Sequence, residues 1–595
     1  MSGEAPAFAA LQGLTAAQRE AALASGSALV VAGPGSGKTR TLVARLVYLL
    51  EAGLAAPHEL CAITFTRKAA SELRERLQRA VGDVAQTIRV GTFHQLALHL
   101  RPQPQAVRLI SEADRHDLLA HVLRSDSSVG SGLSEATLRR RLRRASQALS
   151  LMKGRSCDAL TALGQPSASL PTEDDAAWLH PALAAYQAWL QALDLEDLDD
   201  LLVAATQAVR AGQACVHYRC VHVDEYQDTN GVQRELLIAL AKAGAQIFAI
   251  GDPDQSIYAF RGAERGNFFA FPRDFAGARV FFLRDNFRAT STLVAAATAL
   301  LSQAGDREAF VDGPPPQAQR ERGEPVQLRA AASPRSEAIA IAREIERLLG
   351  GTSLTSHDQG RAASSASGCY GFSDIAVLTR TAARADDVAL ALQHEGIPTL
   401  RPRKARPLYT AESIARGPDE RAEDDRSERP PERAATQSPF SAALQHHAQR
   451  PAWRADAGLV DLDAAQSAER SYAALRHALT CDAEGEIGIA HESDEWDARF
   501  ERVAVLTLHG AKGLEFPVVF LCGSEADLLP GRAASKDEVA EERRLFYVGM
   551  TRAKDRLWIS HVGPPSPFVA ALPSRCVQTV APPARRAKPP QLKLF

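Results

Sequence analysis

The sequence predicts an α/β protein with two domains, each built on a parallel β-sheet. Short apolar, β-branched runs alternate with segments of helical periodicity, a pattern typical of parallel strands joined by helices. The runs fall into two groups, before and after about residue 290, which indicates two separate sheets. The clearest runs lie at residues 29–31, 62–64, 221–223, 247–250, 375–378, 503–507 and 518–521.

Each group is interrupted by a segment of different character. Residues 97–209 have a helical pattern and predict a helical insertion in the first domain. Residues 410–499 predict a smaller insertion in the second domain, and their first third is charged and poor in apolar residues, so we expect it to be disordered. The predicted boundaries are 1–96 and 210–290 for the first domain, 291–409 and 500–562 for the second, and 563–595 for a flexible tail.

The composition argues against several classes of protein. A net charge of −2 gives no overall attraction for a polyanion, so any nucleic-acid surface has to be a local basic groove. Eight cysteines without a C-x-x-C pair indicate reduced cytosolic thiols, and neither a disulfide framework nor a zinc site. The N-terminus has no signal-peptide pattern, and no apolar stretch approaches the ~18 residues of a membrane helix. We therefore expect a soluble, cytoplasmic protein that does not contact a membrane.

A phosphate-binding loop follows the first apolar run, where residues 32–39 read AGPGSGKT. Glycines in such a loop let backbone N–H groups turn towards phosphate oxygens, and the N-terminus of the next helix adds its dipole. Lys38 is expected to reach the β- and γ-phosphates, and Thr39 to bind Mg²⁺. The nucleotide-binding residues predicted in this loop are Ala32, Gly33, Pro34, Gly35, Ser36, Gly37, Lys38 and Thr39.

An acidic pair ends a later apolar run, in the sequence VDEYQDTN at residues 223–230. Asp224 is placed to hold Mg²⁺, and Glu225 to take a proton from the attacking water. On its own, such a pair is also compatible with an acidic turn on the surface. Together with the phosphate loop, it predicts a nucleoside triphosphatase.

Seven further segments, in order along the chain, resemble the motifs of superfamily 1 helicases of the UvrD/Rep/PcrA type. The resemblance spans nearly the whole motif set. It implies two RecA-like P-loop domains, with ATP and Mg²⁺ as cofactors. The segments are LTAAQ (14–18), CAITFTRKAASELRERL (61–77), VGTFHQLAL (90–98), AIGDPDQSIYAFRGA (249–263), LRDNFRA (283–289), LTLHGAKGLEFP (506–517) and EERRLFYVGMTRAKDRL (541–557).

The resemblance places five catalytic residues in a cleft between the two domains. Lys38 and Glu225 keep the roles given above, and Gln255 is expected to sense the γ-phosphate. Arg288 and Arg552 are expected to approach the γ-phosphoryl group from opposite domains and neutralise its charge, as arginine fingers do. We expect ATP to close the cleft and hydrolysis to open it, because contacts to the γ-phosphate exist in only one state.

Four more residues are assigned to the nucleoside by the same resemblance. Gln18 is expected to read the edge of the adenine. Arg40 and Phe287 are expected to sandwich the base, an arrangement that suits a guanidinium and a ring. Glu515 is expected to meet the ribose.

The resemblance also implies a surface that binds single-stranded DNA by stacking on bases and by charge, without reading sequence. The chain departs from the family at Thr379, where an aromatic residue is usual. Residues 139–144 contain five arginines, which fit equally a helix that binds phosphates and an ordinary solvated face. The expected strand contacts are Phe65, Arg67, His94, Tyr258, Phe260, Arg261, Arg380 and His509.

The implied function is an ATP-dependent translocase and helicase of DNA repair or replication. By resemblance it moves 3′ to 5′ along single-stranded DNA, acts at junctions with duplex and is monomeric without DNA. Relatives carry a substantial second insertion, called 2B, which is reduced here to residues 410–499. Because 2B tunes processivity, an ATP-gated protein that displaces other proteins from DNA without robust unwinding stays open as an alternative.

The last five residues, QLKLF, resemble the short motif by which many bacterial replication and repair proteins bind the sliding clamp. Gln591 offers paired donor and acceptor groups, and Leu592, Leu594 and Phe595 offer apolar anchors for a pocket. Residues 581–590 are rich in proline and are expected to be extended. We therefore expect the clamp as a second partner.

Overall fold

The computed structural model describes residues 9–102, 109–110, 112–125, 134–155, 173–192, 195–302, 315–350, 370–401, 501–532 and 535–580. The predicted reduced insertion (410–499) and the clamp-like peptide (591–595) lie outside these residues. Among the helices of the described ranges, none is long and apolar enough to cross a bilayer.

A six-stranded parallel sheet forms the first domain. Its strands are β1 (Ala28–Ala32), β2 (Leu60–Ile63), β3 (Arg89–Gly91), β4 (Cys220–Val223), β5 (Gln246–Gly251) and β6 (Arg279–Leu283). The order across the sheet is β3-β2-β4-β5-β1-β6. Alternate residues of β1 belong to different apolar clusters on the two faces, which is why this strand is a continuous apolar run in the sequence.

Ten helices of the first half of the chain are described. They are α1 (Ala16–Ala22), α2 (Lys38–Glu51), α3 (Arg67–Val81), α4 (Phe93–Leu100), α5 (Glu112–Ser125), α6 (Glu135–Arg155), α7 (Glu173–Ala192), α8 (Leu198–Arg210), α9 (Gly231–Lys242) and α10 (Arg265–Asp274). Several begin at a capping residue: the side chains of Thr15, Thr66 and Thr92 each accept a hydrogen bond from a backbone N–H in the first turn. Local sequence therefore sets where these helices start.

Helices α5, α6 and α7 lie between β3 and β4 in the chain and share a separate apolar core. A buried ion cluster joins this core to α8, where the Nζ atom of Lys153 lies 2.8 Å from Asp197 and 2.7 Å from Asp200. The C-terminal part of α6 also packs against the segment Ala259–Arg261. The insertion is therefore anchored beside one of the predicted strand-binding segments.

A seven-stranded parallel sheet forms the second domain, beside a two-stranded pair of β7 (Asp285–Asn286) and β8 (Gln317–Ala318). The strands of the larger sheet are β9 (Val326–Ala331), β10 (Ile375–Thr379), β11 (Thr399–Leu400), β12 (Val503–Thr507), β13 (Phe516–Cys522), β14 (Ala553–Val562) and β15 (Val577–Val580). Their order is β11-β12-β10-β13-β14-β9-β15. Two parallel sheets confirm the predicted α/β fold class.

The helices described in the second half of the chain are α11 (Ser291–Ser302), α12 (Pro334–Leu348), α13 (Ala382–His394), α14 (Lys536–Met550) and α15 (Pro567–Ala570). Helices α11 and α14 pack against each other on one face of the sheet, whereas α12 and α13 pack together on the other. Helix α14 also faces the first domain, where Arg544 donates a hydrogen bond of 3.0 Å to the carbonyl oxygen of Ser256. This helix therefore positions the second domain against the first.

The prediction of a flexible tail from residue 563 onward is wrong for its described part. Residues 577–580 form an edge strand, in which Val577 pairs with Val326. Phe568, Val569 and Leu572 are buried in the core of the second domain. The apolar residues here are few and lie among prolines, so their pattern is weak in the sequence, and only the neighbouring strand β9 supplies their partners.

Candidate functional site

The phosphate loop connects the end of β1 to the start of α2, at the carboxyl edge of the first sheet. Gly35 and Gly37 have φ values of +70° and +83°, which glycine adopts without steric cost. A Cβ atom added to Gly35 would lie 2.5 Å from the Cβ atom of Arg288. The N-terminus of α2 at this loop is suited to binding phosphate. The segment that contains Arg288 and leads to the second domain packs closely against the loop.

Gln18 lies against the phosphate loop and is buried. Its Nε2 atom donates a hydrogen bond of 2.8 Å to the carbonyl oxygen of Ser36, and its Oε1 atom accepts one of 3.1 Å from the N–H of Thr15. Both ends of the amide therefore connect α1 to the loop. Its role in reading adenine stays a prediction.

Arg40 and Phe287 lie beside the phosphate loop and are exposed to solvent. A Cβ atom added to Gly13 would lie 2.8 Å from Nη2 of Arg40, so this guanidinium lies over the turn before α1. The side chain of Phe287 is 46% exposed, while its backbone N–H donates a hydrogen bond of 2.9 Å to the carbonyl oxygen of Gly35. A planar cation and a ring are thus available near the loop, as stacking on a base requires.

Two adjacent carboxylates follow the end of β4. Glu225 has a φ of +51°, the one positive value among the described non-glycine residues, and such a backbone conformation is often kept at functional sites. Its Oε1 atom lies 3.4 Å from Nζ of Lys38. Burial alone raises the pKa of Glu225, but the charges of Lys38 and Lys512 outweigh it and hold the pKa below its ordinary value. Glu225 is therefore ionised, the form that a general base requires.

Asp224 and Thr39 are the residues predicted to hold Mg²⁺, and this role stays a prediction. Burial, followed by repulsion from Glu225, raises the pKa of Asp224, so a nearby cation would stabilise its charge. Mg²⁺ usually takes only one or two protein ligands beside substrate phosphates. The described residues contain no group of three or more His, Cys, Asp or Glu side chains that could hold a metal by themselves.

Arg552 reaches the site from the second domain, at the start of β14. Its Nη2 atom donates a hydrogen bond of 3.0 Å to Oε1 of Gln255, and its Nη1 atom donates one of 3.0 Å to the carbonyl oxygen of Leu514. The side chain is 2% exposed, and burial, followed by repulsion from Arg288, lowers its pKa to about 9. A buried cation beside a second cation is an electrostatic site that favours an anion.

Arg288 and Glu515 are paired, with an Nη2–Oε2 distance of 2.6 Å. Lys554 also contacts Glu515, at 2.8 Å. Although burial acts to raise the pKa of Glu515, these cations lower it. Glu515 therefore orients an arginine of the site in this structure, and its contact with ribose stays a prediction.

Lys512 and Asp228 form a buried ion pair between the two domains that the sequence reasoning missed. The Nζ atom of Lys512 lies 2.5 Å and 2.7 Å from the two carboxylate oxygens of Asp228 and 2.7 Å from the carbonyl oxygen of Gln255. It also lies 4.8 Å from the ring centroid of Tyr258. Both residues stand inside the motif segments quoted above, but a linear pattern does not show that they pair.

An aromatic surface crosses the junction of the two domains. Phe65 stacks on Tyr258 with centroids 5.1 Å apart, and Tyr258 meets Phe260 edge to face at 6.0 Å. Phe260, which is 43% exposed, meets His509 of the second domain at 5.4 Å. The guanidinium of Arg261 lies 5.2 Å from the ring of Tyr258. Tyr258 is only 2% exposed, so Phe260 is the exposed ring of this set, and an exposed ring close to a cation is suited to stacking on a base of a single strand.

The other three predicted strand contacts are His94, Arg67 and Arg380. His94 is only 7% exposed, and burial lowers its pKa to about 4, so its ring is neutral. Arg67 is the first residue of α3. Arg380 is held by Glu542, with an Nη2–Oε1 distance of 2.7 Å. The roles of these residues in DNA binding stay predictions.

The arginine-rich segment is part of α6, and four of its five arginines face solvent: Arg139, Arg140, Arg143 and Arg144. Arg141 is the exception, because it lies over the ring of Trp178, 4.8 Å from the centroid. Arg139 pairs with Glu135 at 3.0 Å. The helix therefore has a basic exposed face.

Residues with predicted catalytic roles come from both domains, with Lys38 at the phosphate loop and Arg552 beside Gln255. This arrangement defines the class of two-domain P-loop nucleoside triphosphatases. Within that class, the chain belongs to the UvrD/Rep helicase family. Residues 14–276 match the UvrD/REP helicase N-terminal domain, and residues 281–406 and 462–563 match the UvrD-like helicase C-terminal domain.

Curated relatives resemble the chain over most of its length. The ATP-dependent DNA helicase UvrD1 of Mycobacterium tuberculosis is 30% identical, over 94% of this chain and 83% of the relative. DNA helicase II of Escherichia coli is 29% identical, over 96% and 89%. The ATP-dependent DNA helicase PcrA of Staphylococcus aureus is 26% identical, over 96% and 87%. The predicted recognition of this family from its motifs is confirmed.

Proposed function

We propose that this chain hydrolyses Mg²⁺·ATP to move 3′ to 5′ along single-stranded DNA and to separate strands at a junction with duplex. The observation that carries the proposal is the contact of Arg552, in the second domain, with Gln255 in the first. A γ-phosphate bound among these groups and Lys38 attracts both domains, and its loss releases them. The aromatic surface crosses the same two domains, so the same movement changes the spacing of its strand contacts.

The chain's own residues account for the chemistry of hydrolysis. Lys38, Arg288 and Arg552 neutralise the charge that develops on the γ-phosphoryl group. Glu225 accepts a proton from the attacking water. Thr39 and Asp224 would hold Mg²⁺, and the ion would supply further neutralisation of the phosphate charge.

The partner proposed here is single-stranded DNA together with its junctions, and the process is repair or replication in the cytoplasm. The relatives are named DNA helicases, which favours DNA over RNA. The exposed arginines of α6 favour an additional contact with phosphates, beyond the aromatic surface. We propose that the protein is a monomer in the absence of DNA, because one chain supplies the phosphate loop and both arginines of the site, Arg288 and Arg552.

The rate of ATP hydrolysis with and without single-stranded DNA tests this function. We expect the strand to increase kcat severalfold, because strand contacts and arginines move with the same domain. A fluorophore at one end of the strand should then report arrival of the protein, and strand displacement should follow on a tailed duplex. An ATPase rate that does not respond to single-stranded DNA would contradict the proposal.

Displacement of bound proteins without unwinding is the second candidate, favoured by the shortened interval between β11 and β12. Arrival at the strand end without strand displacement, together with ATP-dependent removal of a protein bound to the strand, would favour this candidate. Efficient strand displacement by the protein alone would exclude it.

The sliding clamp is a further proposed partner, through Gln591, Leu592, Leu594 and Phe595. We expect a peptide of residues 585–595 to bind a bacterial clamp with a dissociation constant of about micromolar, since a few apolar anchors carry most of the energy of such contacts. The same peptide with Leu594→Ala and Phe595→Ala is the matched control and should not bind. Absence of binding by both the parent peptide and the full chain would refute this partner and leave the ATPase proposal unaffected.

A further inference from the structure

Gln227 is a buried amide beside the predicted catalytic base, and none of the roles given above involves it. It follows Glu225 by two residues, in a short 3-10 helix, and its side chain is fully buried. Its Nε2 atom donates a hydrogen bond of 2.5 Å to Oε2 of Glu225, whereas the distance from Lys38 Nζ to the same oxygen is 3.5 Å. Gln227 is therefore the closer of these two partners of the proposed base.

The orientation of this amide is determined by its other end. The Oε1 atom of Gln227 accepts a hydrogen bond of 3.0 Å from the backbone N–H of Asp252, a group that can only donate. The Nε2 atom must then face Glu225. Space is also restricted, because a Cβ atom added to Gly251 would lie 2.2 Å from Oε1 of Gln227. An amide satisfies both neighbours, whereas a carboxylate would repel Glu225 and an apolar side chain would bond to neither.

From Asp252 the hydrogen bonds continue into the second domain. Its Oδ2 atom accepts one of 2.6 Å from Nε2 of Gln255. The Oε1 atom of Gln255 in turn accepts one of 3.0 Å from Nη2 of Arg552. Together with the two hydrogen bonds of Gln227, these contacts form an unbroken path from Arg552 to Glu225. In each of the four hydrogen bonds, the donor is the group on the Arg552 side and the acceptor is the group on the Glu225 side.

We propose that Gln227 is a positioning residue that couples Glu225 to the groups that sense the γ-phosphate. Movement of Arg552 with the second domain displaces Gln255 and the backbone at Asp252, and Gln227 carries that displacement to the carboxylate of the base. The coupling rests on the proposed function, since it supposes that strand binding moves the domains. It adds a residue that contacts neither nucleotide nor DNA.

Gln227→Met tests the coupling, because methionine has a similar length and shape but neither donates nor accepts strongly. We expect kcat with saturating single-stranded DNA to fall about 10²-fold, the loss typical of a misplaced catalytic group. KM for ATP should stay within about threefold, because the contacts to phosphate are retained. The stimulation of hydrolysis by DNA should fall more than the rate without DNA.

Gln233→Met is the matched control, since Gln233 is another buried amide, and its Oε1 atom accepts only a local hydrogen bond from the N–H of Asn230. The control should keep the parent kcat. Thermal unfolding of both variants shows whether they are folded. If Gln227→Met unfolds, Gln227→Glu provides the second test: it keeps the shape, and the same loss of kcat at unchanged KM is expected.

A double variant distinguishes coupling from local damage. If Gln227 acts through Gln255, then Gln227→Met combined with Gln255→Met should be no slower than the slower single variant, whereas independent effects would multiply. Parent-like stimulation by DNA in Gln227→Met, or multiplying losses in the double variant, would overturn the coupling. A parent chain without DNA-stimulated hydrolysis would instead overturn the proposed function, so the two failures are distinguishable.

Discussion

Replacing Glu225 with glutamine is expected to lower kcat for ATP hydrolysis by about 10²- to 10⁴-fold, the contribution usual for one acid–base group. The amide keeps the shape of the carboxylate but cannot take a proton from water. Nucleotide affinity should be nearly unchanged, because Glu225 is assigned no contact with the phosphates. Single-turnover hydrolysis and equilibrium binding of a fluorescent ATP analogue measure the two quantities separately.

The matched control for this prediction is Glu235→Gln on α9, which makes the same chemical change at a surface ion pair with Arg210. Such pairs contribute about 0–1 kcal/mol to stability, so the control should retain parent activity. If the Glu225→Gln variant hydrolyses ATP at close to the parent rate, Glu225 is not the base.

Replacing Arg552 with alanine is expected to abolish DNA-stimulated hydrolysis, with a loss of about 10³-fold or more, as for other arginine fingers. Its Nη2 atom donates to the side chain of Gln255, so its removal breaks this contact between the domains at the predicted site of the γ-phosphate. Affinity for single-stranded DNA should be preserved, because the aromatic surface is not altered. Steady-state ATPase rates and fluorescence anisotropy with a labelled strand test both parts.

Loss of Arg552 also removes a donor from the carbonyl oxygen of Leu514, and an unsatisfied buried group costs about 1–3 kcal/mol. Arg552→Lys keeps the positive charge, so it separates this loss of stability from the loss of catalysis. Arg556→Ala is the control, because Arg556 lies on β14 just after Arg552 but pairs with Glu324. A variant that loses DNA binding but hydrolyses ATP normally would instead assign Arg552 to the strand surface.

The sequence allowed the fold class and the family to be predicted because their signals are local. A buried parallel strand is a continuous apolar run, and a helix cap is a single residue such as Thr15. The chemistry at strand ends is equally local: Lys38 follows β1, and Asp224 and Glu225 follow β4. These positions were therefore visible without knowledge of any long-range contact.

Contacts between distant segments were not visible in this way. The bond of Gln18 with Ser36, and the pairing of Lys512 with Asp228, join residues that the motif pattern treats separately. The packed segment after residue 563 was mistaken for a flexible tail for the same reason. Its edge strand, Val577–Val580, is specified by β9 and not by its own composition.

By itself, the sequence determined two parallel-sheet domains, the phosphate loop and the residue types needed for hydrolysis, because these depend on neighbours a few positions away. Only the tertiary structure decided which charges meet across the cleft. Arg552 reaches Gln255 because the two sheets and α14 bring their backbones together, and Gln227 reaches the N–H of Asp252 because β4 and β5 are neighbours in the first sheet. A hydrogen bond depends on distances of about 3 Å between atoms, and separation along the chain carries no information about such distances.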